Sequence, residues 1–472
     1  MAGTYILGEQ KVRPGTYFRI ENAGGGQVEG ADDGTVCAIF KADFGPTEKA
    51  VELTPYDGYT ATYGDGKTTD MLKEILDAGV KKCICIRLGS GGTAATVSLK
   101  TSGESVKDAL KITAKHVGSK NFTVTVRTKA SDSSVRQIII YSNAKQFERF
   151  EYAVTENEAP VAAAAINKSA NFSAEALSTT GALADVDATA FTVGTDPTIT
   201  TDDYSQALSI AEKYRFNTIA VDTNDHAVHL LLQAFLTRIY DVGQLGFAVV
   251  ADDPDSVDLD AREDNAKSFN DLRMIYVLNP YVEKSGVEYK GYLVAAKIAA
   301  LYALCPSNKS LTHTVIQGYT KLGEELTPTQ ITKAEQLGCL VLSTNPSGQI
   351  WIDYAINTLI SPTDDQDDGW KKMRRAKCRY ELLLRCNDTA DKLIGKVDND
   401  VNGRATVIAQ LQAVVNAMIN ESKLVAGTVT ESAVYQSDGD YAYFVLDIVD
   451  KDSIEHLYLT YRFRFSSIVV TE

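Results

Sequence analysis

Thr218-Ile219-Ala220-Val221-Asp222, Gly246-Phe247-Ala248-Val249-Val250-Ala251 and Met274-Ile275-Tyr276-Val277-Leu278 are near-continuous apolar runs, and their reading decides the fold. Helical patterns at 204–215, 226–242 and 261–269 separate them. A strand that is apolar on both faces must be covered on both, and parallel strands joined by crossover helices meet that demand. The spacing predicts a parallel sheet with helices on each side. A helix over about 291–304 follows.

The same rhythm is present upstream. Val36-Cys37-Ala38-Ile39-Phe40 and Val80 to Leu88 read as buried strands, and Thr68 to Ala78 reads as a helix closed by Gly79. The rhythm stops at Gly89-Ser90-Gly91-Gly92. From about 93 the segments alternate in period two, as in Ala95–Leu99, Phe122–Val126 and Gln137–Tyr141. The α/β body is therefore predicted over 31–92 and 180–345, with an all-β module inserted at 93–179.

Residues 346–472 change character again. A strand is predicted at about 350–359, a helix from Trp370, and a second helix with Val407, Ile408, Leu411, Val414, Val415, Met418 and Ile419 on one stripe. Two long strands are expected to close the chain, the last placing Leu457, Leu459, Tyr461, Phe463 and Phe465 on one face. Residues 1–30, with the turn signal Pro14-Gly15, read as an extended arm.

The chain has 472 residues, with 47 Lys and Arg against 62 Asp and Glu, a net charge of −15. Coating of a polyanion is excluded by that sign, since it needs excess cations to neutralise phosphates. Hydrophobic residues at 44% and charged residues at 23% are ordinary globular usage, which excludes a disordered or collagen-like chain. No run of about 18 apolar residues predicts a membrane span, and no signal peptide is read at the N-terminus. Seven cysteines, at 37, 83, 85, 305, 339, 378 and 386, sit mostly in apolar surroundings and read as reduced core residues.

Motifs for chemistry are weak. Ala61-Thr62-Tyr63-Gly64-Asp65-Gly66-Lys67-Thr68 has alanine where a phosphate loop needs its first glycine, so a helix start capped by Thr or Asp is preferred. Asp222, Asp225, His226 and His229 form the best catalytic-looking cluster, at the end of a strand where doubly wound sheets place their sites. No serine loop of the Gly-x-Ser-x-Gly kind completes a triad. The two histidines lack a third ligand at usable spacing, so no metal and no cofactor are assigned, and Asp225 is expected to cap a helix beside partly exposed histidines. An α/β hydrolase-like enzyme using Asp222 and His226 is the alternative reading.

The segment 370–386 carries seven basic residues and one acid within this acidic chain. As a helix it places Trp370, Met373, Ala376, Tyr380 and Leu383 on one stripe, with Lys371, Lys372, Arg374, Arg375 and Arg379 opposite. The cations are expected to form an exposed docking face for an acidic partner, so that reversing Arg375 and Arg379 would cost the monomer little. Asp364, Asp365, Asp367 and Asp368 are expected to favour the helix N-terminus.

Lys11-Val12-Arg13-Pro14-Gly15-Thr16-Tyr17, Leu326-Thr327-Pro328, Ala334-Glu335-Gln336-Leu337-Gly338, Gly348-Gln349-Ile350-Trp351-Ile352, Ile356-Asn357-Thr358-Leu359, Ile394-Gly395-Lys396-Val397-Asp398-Asn399 and Asn402-Gly403-Arg404 occur in that order. In this order and spacing the chain resembles the contractile tail sheath proteins of bacteriophages and phage-tail-like (R-type) bacteriocins. The resemblance implies a multidomain α/β fold: a subtilisin-like doubly wound domain without protease function, an inserted β-sandwich, and an α+β C-terminal domain that packs on the inner tube. It implies a non-enzymatic subunit that forms stacked hexameric rings around that tube and contracts to drive it through a bacterial envelope. Baseplate and tail terminator proteins are the further implied partners, with neither membrane nor direct nucleic-acid contact. Assembly in the bacterial host cytoplasm and residence in a virion tail or released particle are implied as well. Carried onto this sequence, arms at about 1–30 and 455–470 would donate strands to neighbours, through Thr16, Tyr17 and Phe18 at one end and Tyr458, Tyr461 and Phe463 at the other. The tube-facing element would be the basic helix.

Overall fold

A computed structural model of the chain describes residues 2–4, 13–18, 33–64, 66–103 and 106–463. The other residues of the expected N-terminal arm, and 464–470 of the C-terminal one, lie outside the described residues.

Seven strands make the central sheet: β1 (Thr35–Phe40), β2 (Ala50–Leu53), β3 (Lys82–Arg87), β4 (Thr218–Val221), β5 (Phe247–Val250), β6 (Met274–Val277) and β7 (Cys339–Leu340). Across the sheet they run β7-β6-β5-β4-β1-β3-β2, and every neighbouring pair is parallel except β3 and β2. The expected parallel sheet is present. Its antiparallel edge strand carried no clear signal, because Ala50-Val51-Glu52-Leu53 is short and mixed in polarity.

Alternate side chains of each strand enter two separate cores. Val36, Ala38 and Phe40 of β1 join one, while Cys37 and Ile39 join the other. Seven helices matter for the argument: α1 (Asp70–Asp77), α2 (Thr201–Ala211), α3 (His226–Asp241), α4 (Leu259–Phe269), α5 (Tyr292–Leu304), α6 (Met373–Asp391) and α7 (Val401–Asn420). Met71, Leu72 and Ile75 of α1 and Val294 to Ala300 of α5 cover the first face, apart from the buried Lys297. Tyr204 and Leu208 of α2, Leu232 and Phe235 of α3, and Ala266 and Phe269 of α4 cover the second. Each fully buried aliphatic or aromatic side chain contributes about 1.5–3 kcal/mol, so coverage of both faces explains why the strands read as unbroken apolar runs.

The chain leaves β1 towards β3 and returns on its other side at β4, so the carboxyl ends of β1 and β4 flank the switch point of a doubly wound sheet. Between β3 and β4 lies the inserted module. Its four-stranded and three-stranded antiparallel sheets share one core with the helix Glu158–Ile166. The last of its strands, Val186–Ala190, pairs with Thr123–Val126 and lies beyond the expected limit at 179. Arg87, fully buried at the end of β3, ties module to sheet by donating to the carbonyls of Ala42, Gly45 and Val117 at 2.9, 2.6 and 2.9 Å. Gly118 closes this junction: with φ at +147°, a Cβ there would sit 1.9 Å from the Asp43 carbonyl oxygen.

α6 bridges two cores. Met373, Ala376 and Tyr380 pack on the sheet body, whereas Cys378 and Leu382 pack against Leu411, Val415 and Met418 of α7. A hairpin of Leu424–Glu431 and Phe444–Asp450 completes the C-terminal body. Two expectations need correction. Only Ile350–Ile352 of the predicted 350–359 strand is a strand, because buried Asn357 turns the chain by donating to the Trp370 carbonyl at 2.6 Å and accepting from the Leu359 amide at 3.1 Å. Residues 451–463 form no strand within the chain, and the two C-terminal strands are those of the hairpin upstream. All seven cysteines are free thiols.

Candidate assembly interface and the sheet crevice

The basic face of α6 is occupied by the chain itself. Arg375 donates to Asp450 through Nε and Nη2 at 2.8 and 2.6 Å. Arg379 grips Asp367 at 2.7 and 2.8 Å, reaches Asp450 at 2.9 Å, and lies 4.5 Å from the centre of the Trp370 ring. Lys372 pairs with Asp452 at 2.6 Å and Glu455 at 3.0 Å, and Arg374 donates to the Ser453 hydroxyl at 2.9 Å. Lys371 donates to the Glu335 carbonyl at 2.8 Å. The expected docking face is thus an intramolecular clamp. An acidic partner docking on Lys372, Arg375 and Arg379 would first have to displace Asp367, Asp450, Asp452 and Glu455.

The reason is electrostatic. Burial alone would raise the Asp450 carboxyl, but the Arg375 hydrogen bonds and the charge of Arg379 outweigh it and hold the group below the ordinary carboxylate range. Asp367 is held low in the same way by Arg379. Of the acidic run expected to serve the helix N-terminus, Asp367 instead binds the helix side chains. Asp450, Asp452 and Glu455 were the partners that sequence reasoning missed. A concentrated basic stripe in a chain of net −15 is the signal that acids from elsewhere in the chain would reach it.

Among the described residues Glu455 is the last held by hydrogen bonds. Its carboxylate also accepts from Ser310 at 2.7 Å and Thr312 at 3.1 Å. The His456 ring packs edge-on against Tyr354 with centres 5.9 Å apart. From there to Phe463 the apolar side chains are bare: Leu457, Tyr458, Leu459, Tyr461 and Phe463 are 62–93% exposed. At the other end, Ala2–Thr4 and Thr16–Phe18 form a parallel two-stranded ladder on α3 and α6. Thr16 donates to Asp391 at 2.5 Å, and Phe18 is buried edge-on against Tyr240 with ring centres 5.7 Å apart. Thr16, Tyr17 and Phe18 are therefore paired within this chain, whereas Tyr458, Tyr461 and Phe463 are bare.

The crevice at the carboxyl ends of the strands divides the catalytic-looking cluster. Asp222 accepts from the Lys41 amide, from Lys41 Nζ at 3.3 Å and from the Tyr204 hydroxyl at 3.0 Å, which fills the switch point between β1 and β4. No hydrogen bond joins it to His226. Asp225 caps α3 as expected, accepting from the Ala227 amide at 2.9 Å. His229 corrects the expectation of exposed histidines, being fully buried, while His226 is half-buried. Asp252, just past β5, faces His229 with Nδ1 and Oδ1 3.5 Å apart. The expected cap at the Gly64–Thr68 segment is absent too: α1 begins after Thr69, whose hydroxyl donates backward to the Gly66 carbonyl at 2.7 Å.

Burial pushes the Asp222 carboxyl up to about 6, against the opposing pull of Lys41. A carboxyl raised on folding stabilises most below its unfolded pKa and loses that contribution as pH rises through the folded value. Asp222→Asn is expected to keep the fold and to gain on the wild type by about 2 kcal/mol between pH 4 and pH 8, each tenfold change in the ionisation equilibrium being about 1.4 kcal/mol. Urea melts at the two pH values check this. A gap between the two proteins that does not move with pH would contradict it.

Residues 198–358 match the family described as the phage tail sheath protein central domain, a stretch that holds β4 to β7. In fold, the chain is similar to the sheath tail protein of Desulfitobacterium hafniense, with a TM-score of 0.70 at 19% identity over 89% of this chain and 97% of that one. It is also similar to the sheath of an extracellular contractile injection system in its contracted state, with a TM-score of 0.56 at 8% identity over 96% and 98% of the two chains. The uncharacterized protein YqbK of Bacillus subtilis is 23% identical over 258 residues, which are 51% of this chain. The match spans about half the length, 52%, of that curated relative. By sequence over the central stretch and by fold over nearly the whole chain, this protein is similar to tail sheath proteins. Among the described residues, no helix is long and apolar enough to cross a membrane.

Proposed function

We propose that the chain is a structural subunit of a contractile tail sheath, polymerising as stacked hexameric rings around an inner tube and contracting to drive that tube through a bacterial envelope. The observation that carries the proposal is the tail after Glu455, which leaves a many-bonded clamp as an unpaired segment with alternating apolar side chains. Such a segment is a strand in search of a sheet. A two-stranded ladder such as Ala2–Thr4 with Thr16–Phe18 offers a place for it on a neighbouring subunit. Arms at about 1–30 and 455–470 link the rings in this proposal, and the subtilisin-like body serves as scaffold, without catalysis. Contraction draws on two packings of the same subunits and needs no nucleotide.

Baseplate, terminator and tube proteins are the proposed partners, met during assembly in the host cytoplasm and retained in the finished particle. Lys372, just before α6, and Arg374, Arg375 and Arg379 on it act on the tube indirectly here, by fixing where the C-terminal segment leaves the body. The hydrolase reading has no support from the geometry, since Asp222 is spent on Lys41 and Tyr204. Electron micrographs of the purified chain are expected to show sixfold rings or tubes, more abundant when the tube protein is present. A monomer at every concentration, with and without tube protein, would overturn the proposal.

A further inference from the structure

The carboxyl ends of β4 and β5 hold a second cluster that sheath assembly does not use. His226 and His229 lie one turn apart at the start of α3, and Asp252 follows β5. A ligand atom from each of the three lies within 4.8 Å of the other two. Three buried polar atoms here have no hydrogen-bond partner: His226 Nδ1, His229 Nδ1 and Asp252 Oδ1. Buried polar atoms without partners are rare because each one costs its lost hydration. Three in one place are unusual for a core, and His229 and Asp252 are no more than 1% exposed.

The proton positions sharpen the point. His229 Nε2 lies 3.0 Å from the Thr223 carbonyl, which can only accept, so Nε2 carries the proton. Nδ1 of the neutral ring is then a lone pair, and it faces a carboxylate oxygen 3.5 Å away, also a lone pair. Asp252 Oδ2 is already satisfied by Asn265 at 2.6 Å and Tyr276 at 2.8 Å. His226 Nε2 lies 3.4 Å from the Ser268 hydroxyl, which donates to the Asn265 carbonyl and so has a lone pair to offer. Each ring has its outer nitrogen engaged and its Nδ1 left over.

That is the arrangement of metal-bound histidines, whose second nitrogen donates to a carbonyl or another acceptor and so fixes the tautomer. Ligand atoms of a tetrahedral zinc centre with bonds of about 2.0–2.1 Å sit roughly 3.3 Å apart, close to the spacing of His229 Nδ1 and Asp252 Oδ1. We propose that His226, His229 and Asp252 form a binding site for a divalent transition-metal ion of the zinc class, with the fourth position open beside half-buried His226. The positive end of α3 opposes a cation here. Asp252 supplies the compensating charge, and Asp225 at the cap of α3 adds to it at His226. The bound ion would tie the start of α3 to the end of β5. The competing arrangement is a doubly protonated His229 ion-paired with Asp252, which leaves no lone pair for a metal.

The test uses the full chain, stripped with chelator and returned to metal-free buffer near neutral pH. Titration with zinc chloride in a calorimeter is expected to show one ion bound per chain, and cobalt(II) is expected to develop the visible absorption of a tetrahedral site. His226→Ala removes a half-buried ligand, and Asp252→Asn keeps shape while removing charge. Each is expected to weaken zinc binding by more than about tenfold, the loss that changes to residues behind the ligands alone produce. At equal zinc, the rise in melting temperature should be larger for the wild type than for either variant. A wild type without saturable zinc uptake, or variants that bind zinc as tightly as it does, would overturn the site.

Discussion

Ending the chain after His456 is expected to leave a folded subunit that forms no sheath. Of the described residues removed, Leu457, Tyr458, Leu459, Tyr461 and Phe463 are all at least 62% exposed, so their removal takes almost no buried surface from the isolated subunit. Substitutions at such exposed positions change stability by within about 0.5 kcal/mol. The polymer stands differently. If Leu457, Leu459, Tyr461 and Phe463 each become covered on a neighbour at about 1.5 kcal/mol, the contact loses roughly 6 kcal/mol, about four powers of ten in association. Ladder hydrogen bonds are lost in addition. Thermal melts and sedimentation of the truncated chain check both halves of the expectation. Tubes of ordinary length from it would refute the role of the tail, and a large drop in melting temperature would mean the tail belongs to the subunit's own core.

What was legible in the sequence follows from range. Apolar runs such as Val36–Phe40 and Gly246–Ala251 are local statements about burial, and they located most of the sheet strands directly. The stripe Met373, Ala376 and Tyr380 was equally local, and it packs as read. Charge is not local. The stripe of cations on α6 shows that a helix face is basic but not which acids reach it, and Asp450, Asp452 and Glu455 lie 71–83 residues further along than the cations they hold. The same limit hid Asp252, which follows the next strand, β5, and is brought to His229 only by the parallel pairing of β4 and β5. Both Asp222 and Asp252 stand just after buried strands, which is the pattern that could have suggested two acids on one edge of the sheet. Alternation over 457–465 specifies a face to be covered but not which sheet covers it, and the expectation of a neighbour's sheet comes from the family resemblance and not from the alternation itself.

Reversing Arg375 and Arg379 to Glu is expected to unseat the C-terminal segment and destabilise the subunit, contrary to what an exposed basic face would predict. Asp450 is 6% exposed at its side chain and the two guanidiniums are 21% and 14% exposed, so the group is withdrawn from water. Breaking a buried pair by removing one partner costs about 3–5 kcal/mol because the remaining charge is left uncompensated, and here it would also face two new carboxylates. Replacement by Lys should cost less but not nothing, since one ammonium cannot reproduce the forked contacts to Asp450 and Asp367. Adding Asp450→Arg to the reversed pair should recover part of the loss, a coupling that a double-mutant cycle measures. The pH dependence has a definite sign. Asp450 is held low on folding, so its contribution is complete above the unfolded value of about 3.9 and fades as pH falls through the folded one. The gap between wild type and reversed variant should therefore narrow on acidification below about pH 4. Hydrogen exchange over Phe444–Glu455 locates the loss, and unchanged protection there in the reversed variant would dismiss the clamp.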